Sequence, residues 1–371
     1  MPVGLIVMKW DDRVGTEVLA KYPEEIAVTD KTLMQVYSTH EYSGETGMVS
    51  LMVGSLNIAS FYTGPDTSFY ILLLLSLDDD PDAYEGGMAD TSRTILQHYD
   101  DGSYLQMIPS LFQRLSIYPS LNEEQRLAMT YQDETKRMVI NRLRDEGVLS
   151  KSELMVWLKD RYTQGFVDLD SVLNDLIKRE LIKESSVKGM PSEIIFLTND
   201  LLMIRRPPIT LLKAPAEKGL PDHLTSDYIT AVKQFFQNYS PSDEDNLKIV
   251  EIIVNPQVYE TFRLLRTAIV TKNELEKLKK KGVDNIDEVL KTLWENQIIQ
   301  VFQDKKGNEY YALLTDFNIS LMFPKYLLNI INTEYENKSK ADPVLVEYLN
   351  VLEDAYMEYK AKSKEKIEQE D

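Results

Sequence analysis

Apolar and polar positions divide the first third of the chain into a regular series of elements. Residues 4–10 form a mostly apolar run, Asp11-Asp12-Arg13-Val14-Gly15 supply turn chemistry, and residues 16–22 return to extended character before Pro23. This pattern predicts a hairpin. Thr29 or Asp30 is placed to cap a helix on which Leu33, Met34, Val36 and Tyr37 share an apolar face. Gly44 and Gly47 close that segment, and two strand-like stretches follow at 48–53 and 56–63, with Gly54-Ser55 between them. After Gly64-Pro65-Asp66, residues 68–77 are so apolar that they predict a central strand covered on both faces. Asp78-Asp79-Asp80-Pro81-Asp82 ends it, and helices are predicted at 83–98, weakened at its start by Gly86-Gly87, and at 104–118. The order β-β-α-β-β-β-α-α predicts a small α+β domain, with helices packed on a five-stranded antiparallel sheet.

The rest of the chain repeats itself. A shift of 117 residues places Leu169-Asp170-Ser171-Val172-Leu173 on Ile286-Asp287-Glu288-Val289-Leu290, Leu176 on Leu293, Leu197-Thr198 on Leu314-Thr315 and Pro207 on Pro324. The window from 169 to 207 aligns without a gap and contains nine identities, mostly at apolar positions. Upstream the shift becomes 121, placing Leu149-Ser150-Lys151 on Val270-Thr271-Lys272, and the four-residue change falls in the connection before Asp170 and Asp287. Each unit reads as a long helical stretch (125–146; 243–267, interrupted near Pro256), then a capping box (Ser150 with Glu153; Thr271 with Glu274) opening a short helix. A third helix (170–179; 287–295) and a hairpin complete it. Three helices and a two-stranded wing are the pattern of a winged helix-turn-helix. The predicted domains are therefore 1–120, 121–206, a Pro-rich linker at 207–222, 223–340, and a charged helix or tail at 341–371 whose end from Lys360 is too charged to bury.

Charge narrows the function. Among 371 residues there are 41 Lys+Arg and 60 Asp+Glu, a net charge of -19, and residues 1–120 hold 6 Lys+Arg against 17 Asp+Glu. Such a surface argues against general affinity for nucleic acid or anionic lipid. The third helices do not reverse this: residues 170–183 balance, and residues 287–300 set Lys291 against Asp287, Glu288 and Glu295. The most basic patch is Lys277, Lys279, Lys280 and Lys281, with Arg205-Arg206 a smaller one. Both read first as solvated charge, with an acidic partner or a phosphate as the sharper alternative.

No catalytic pattern emerges. The chain has no Cys, no Gly-x-x-x-x-Gly-Lys-Ser/Thr and no metal-ligand spacing among His40, His98 and His223. Asp78–Asp82 lacks the glycine and the closing glutamate of a calcium loop, so strand termination and helix capping account for it. Ser116 and Ser120 have no adjacent base motif. No cofactor, metal or catalytic residue is expected. The longest apolar run, 69–77, is far short of a membrane span, and no leader pattern opens the chain, so a cytoplasmic protein is expected.

The element order of residues 4–118 resembles a longin domain, and longin and roadblock domains serve mostly as platforms for small GTPases or for one another. Followed by tandem winged helices, the architecture resembles the nitrogen permease regulator-like proteins, which regulate a Rag-type GTPase. In the GTPase-activating member of that family, an arginine in the loop before the last longin strand supplies the catalytic finger. Here that loop, Gly64-Pro65-Asp66-Thr67-Ser68, has no Arg; the domain's arginines are Arg13, Arg93 and Arg114. Arg13, in the exposed turn, is the substitute candidate, and the activating role is not carried over.

The resemblance implies a non-enzymatic scaffold that binds a small GTPase, a longin or roadblock protein or a second copy of itself, in trafficking or nutrient signalling. Any membrane association would be peripheral, through a partner. The candidate surfaces are the helix at 31–42 and the strands at 49–62. The candidate partner-binding residues are Arg13, Met34, Tyr37, Val49, Leu51 and Tyr62, with Lys277, Lys279 and Lys280 in the second unit. The alternatives are a transcription regulator using its winged helices, and an assembly subunit of a membrane-remodelling complex.

Overall fold

The structure is a computed structural model that describes residues 2–11, 13–44, 46–54, 56–65, 67–161, 169–283 and 285–370. Asp12, Ser55 and Asp66 of the expected turns and loop, and the connection carrying the four-residue insertion at 162–168, lie outside the described residues, as do the side chains of Lys281 and 362–371.

The chain is a mixed α+β protein. Its N-terminal sheet contains β1 (Pro2–Asp11), β2 (Gly15–Tyr22), β3 (Gly47–Val53), β4 (Leu56–Tyr62) and β5 (Phe69–Leu75). They run antiparallel in the order β2-β1-β5-β4-β3. Helix α1 (Asp30–Ser43) covers one face, where Leu33 and Val36 join Ile6, Met8, Leu72 and Leu74; α2 (Glu85–Gln97) and α3 (Tyr104–Ile117) cover the other, over Leu5, Val7, Ile71 and Leu73. Burial on both faces is what an unbroken apolar β5 requires. The strand stops at Leu75, two residues before the apolar run does, because the Asp79 carboxylate takes the Ser76 N–H at 3.1 Å. Gly86 and Gly87 do more than weaken a helix: a Cβ at Gly86 would lie 2.3 Å from the Tyr118 hydroxyl, so glycine is what admits that ring.

The repeat is structural. The first unit runs α4 (Glu123–Gln132), α5 (Glu134–Glu146), β6 (Val148–Ser150), α6 (Lys151–Arg161), α7 (Leu169–Lys178), β7 (Ile182–Ser185), β8 (Ile194–Leu197), β9 (Asp200–Arg206), α8 (Ile209–Lys213) and α9 (Thr225–Asn238). The second runs α10 (Asp243–Val254), α11 (Pro256–Thr267), β10 (Val270–Thr271), α12 (Lys272–Leu275), α13 (Ile286–Glu295), β11 (Ile299–Gln303), β12 (Glu309–Leu313), β13 (Asp316–Met322), α14 (Leu327–Asn337) and α15 (Asp342–Glu370). Small sheets form in the orders β6-β8-β7 and β10-β12-β11.

Several expectations change. The stretch 125–146 is two helices, because Asp133 is extended and its carboxylate caps α5 through the Lys136 N–H at 3.0 Å. Asn255 caps α11 in the same way through Val258 N–H at 3.2 Å. The gapless alignment slips by one residue at the hairpin turn: Ile182 pairs with Leu197, but Ile299 pairs with Leu313. Pro208, rather than Pro207, thus occupies the place of Pro324, each accepting from a buried leucine N–H, Leu211 or Leu327, at 3.0 Å. The expected linker at 207–222 is folded, with Leu211 and Leu220 in the core. The charged C-terminal helix is anchored along its first half, since Val344, Leu345, Tyr348, Val351 and Leu352 of α15 are buried.

The two units share one apolar core. Strands β9 and β13 pair antiparallel with Met203 opposite Ile319, equivalent residues of the two units, so a pseudo-twofold passes between them. The units also exchange helices. Tyr228 of α9, the last helix of the first unit, donates to the Leu313 carbonyl of the second at 2.9 Å. Tyr348 of α15, the last helix of the second, donates to the Leu197 carbonyl of the first at 3.1 Å. At each α5 or α11 end an arginine repeats one clasp: Arg144 bonds Asp200 (2.7 Å) and the Leu201 carbonyl (3.0 Å), and Arg266 bonds Asp316 (2.8 Å) and the Phe317 carbonyl (2.6 Å).

Candidate interaction site

The N-terminal domain sits on the first unit through helix α7. A cleft of about 710 Å³ opens where they meet, between Gly47 and Met48 at the start of β3, Glu85 and Gly86 at the start of α2, and Asn174 and Lys178 of α7. Ser171 and Asp175 of its lining lead into a buried charge network. Lys136, fully buried on α5, bonds Asp90 of α2 at 2.7 Å and pairs with Asp175 of α7. Arg93 of α2 pairs with Asp90, bonds Asp133 at 3.2 Å and donates to Ser171 of α7 at 3.0 Å. Nearer solvent, Lys178 bonds Glu85 at 2.6 Å and Arg179 donates to the Tyr118 hydroxyl at 2.9 Å. Burial opposes ionisation of Asp90, yet Lys136 and Arg93 together hold its carboxyl below the usual range. Burial likewise pushes the Tyr118 hydroxyl up.

These charges are matched by opposite charges across the domain boundary, an arrangement that fixes relative orientation. The unit-two equivalents differ. Val258 replaces Lys136 at the corresponding turn of α11, and Thr292 replaces Asp175. Helix α13 therefore carries no such network; it presents Asp287, Glu288, Lys291 and a Trp294 that is 57% exposed.

The residues singled out in the sequence are scattered. Arg13 is exposed in the β1–β2 turn, where its backbone N–H bonds Asp11 at 2.8 Å. Met34 is 41% exposed on α1. Tyr37 does not offer a free ring, because it stacks on Trp10 at 3.6 Å. Tyr62 is buried against Tyr70 at 4.6 Å, on the face of β4 that α1 covers, and its neighbour Phe61 is buried on the other face. Val49 and Leu51 are half-buried on β3, an edge strand paired only with β4 among the described residues, and Met52 beside them is exposed. Lys277, Lys279 and Lys280 are exposed on a 3-10 turn, and Lys279 pairs with Glu276. The structure thus brings Val49 and Leu51 together at one edge and leaves the lysines in the other unit. Sequence reasoning missed the junction set of Asp90, Arg93, Lys136 and Asp175. Its one visible signal was a lysine on the apolar face of α5.

The histidines have local roles. His40 is buried and bonds the Ser60 hydroxyl at 3.0 Å; burial lowers its pKa to about 4, with the Ser60 bond opposing. His98 bonds the Thr94 carbonyl at 3.0 Å. Asp80 caps the 3-10 turn at Pro81–Tyr84. Among the described residues no group of three or more His, Asp or Glu is placed to hold a metal, and no helix is long and apolar enough to cross a membrane. In comparisons with known proteins, the chain matches no protein-family model and no curated protein.

Proposed function

We propose that the protein is a non-catalytic scaffold whose N-terminal domain is longin-like and whose two repeated units are winged helices serving as a rigid body. In this reading the β3 edge and α1 form a platform for a small GTPase or for another longin or roadblock domain, and a second copy is one such partner. The observation that carries it is the placement of α7. This would be the groove-reading helix of the first winged helix, yet Lys178 and Arg179 bond Glu85 and Tyr118 of the N-terminal domain. A helix held in this way has no free basic face for a DNA groove. The acidic balance supports the same reading over a transcription regulator.

Co-purification from the native source with mass spectrometry tests it. Recovery of a small GTPase or a longin-type protein is expected, with loss on replacing Val49 and Leu51 by Asp. Recovery of neither counts against the scaffold. Duplex DNA binding at low salt with a steep salt dependence would favour the transcription regulator instead.

A further inference from the structure

The opposite edge of the N-terminal sheet carries a second feature. Strand β2 ends the sheet and, among the described residues, pairs with β1 alone, so its outward N–H and C=O groups are unmatched. Beside it runs a groove of about 700 Å³ between β2 and α3, lined by Val18, Ala20, Tyr22, Leu105, Ile108 and Pro109. Two of these apolar side chains face solvent, Val18 at 43% and Leu105 at 51%. Pro109 lies within α3 and has no N–H, so the Leu105 carbonyl lacks its helical donor at the groove wall. Exposed Glu24 and Glu25 line it, Glu17 is exposed on β2 next to Val18, and Lys21, also in the lining, is turned to the Ile26 carbonyl at 3.2 Å.

We propose that this groove receives an extended, basic peptide segment of a partner protein, added to β2 as a further strand. An unmatched strand edge beside a helix supplies main-chain pairing, and the apolar floor accepts alternate side chains of the added strand. The carboxylates choose the occupant. Lysine or arginine flanking the apolar positions would meet Glu17 on one side and Glu24 and Glu25 on the other. A second copy of this chain fits less well, because pairing β2 with its own equivalent would bring the same carboxylates toward one another. The site is separate from the β3 edge and from the α7 cleft.

The test uses the full chain and a short fluorescein-labelled peptide of alternating Val and Thr flanked by Lys, with a Glu-flanked peptide of the same core as control. The Lys-flanked peptide is expected to bind by anisotropy and to slow amide exchange over residues 15–22. Leu105→Ser, and separately the double variant Glu24→Lys, Glu25→Lys, change exposed side chains and should each weaken binding about tenfold or more. Equal binding of both peptides, exchange protection at 47–53 instead of 15–22, or no binding at millimolar peptide would overturn the proposal. So would self-association of the free chain that already protects residues 15–22.

Discussion

The two repeated units follow the same order of elements and share the arginine clasp, yet their third helices have different surroundings. In the first, α7 bonds the N-terminal domain through Ser171, Lys178 and Arg179; in the second, α13 faces solvent with Trp294 exposed. The difference comes down to a few positions. Lys136 and Asp175 face Asp90 and Arg93 in one unit, where Val258 and Thr292 stand in the other. A duplicated fold thus acquires an asymmetric role through charges buried at one interface, while the shared core keeps its symmetry.

The largest effect is expected from the symmetric part. Tyr348→Ala and Tyr228→Ala each remove a fully buried ring that one unit lends to the other, and each should destabilise by about 4 kcal/mol in denaturant unfolding. Local loss in one unit with the other intact would contradict the single core. Next is the asymmetric part. Lys136→Met leaves Asp90 and Asp175 without their shared cation and should cost about 3 kcal/mol, loosening the N-terminal domain from α7 as read by amide exchange. Adding Asp90→Asn and Asp175→Asn should restore much of that loss, whereas Val258→Met at the equivalent buried position of the second unit should cost only overpacking, about 1–3 kcal/mol, and leave amide exchange at α7 unchanged.

Acid separates the N-terminal domain from the repeats. His40 is neutral in the fold, with its pKa lowered to about 4 from 6.5 by burial, so between those values the unfolded chain binds a proton that the native chain does not. Its contribution is intact above about pH 6.5 and falls away toward pH 4, by up to about 3 kcal/mol. Unfolding followed against pH should show this slope, and His40→Asn should flatten it. The smallest effect belongs to the exposed Lys178–Glu85 pair: Lys178→Ala should change stability by less than about 1 kcal/mol. A larger loss would move the weight of the junction from its buried network to its rim.

Much of the fold was legible because its signals are local. Apolar period, caps and turn residues predicted all five strands of the first sheet, and the repeat stood out through apolar identities. The break at Asp133 was missed because an Asx cap inside a helical pattern reads as one more polar surface position. The one-residue slip at the hairpin was missed because Pro207 and Pro208 are adjacent and either aligns with Pro324. Of the candidate site, Val49 and Leu51 lie half-buried on the edge strand β3, while Tyr37 and Tyr62 turned inward, since an aromatic ring suits a core and a docking surface equally.

By itself the sequence determined the order of elements, the central position of β5 and the existence of two related units, since these follow from periodicity over neighbouring residues. Only the tertiary structure decided which unit each helix covers and which third helix the N-terminal domain takes. Tyr228 and Tyr348 would satisfy either unit's hairpin in chemical terms, and Lys136 finds Asp90 and Asp175 across 46 and 39 residues of chain. Such choices among equivalent apolar faces and distant charges are made by how the connections reach and by the cost of burying an unpaired ion, and neither is written in a local pattern.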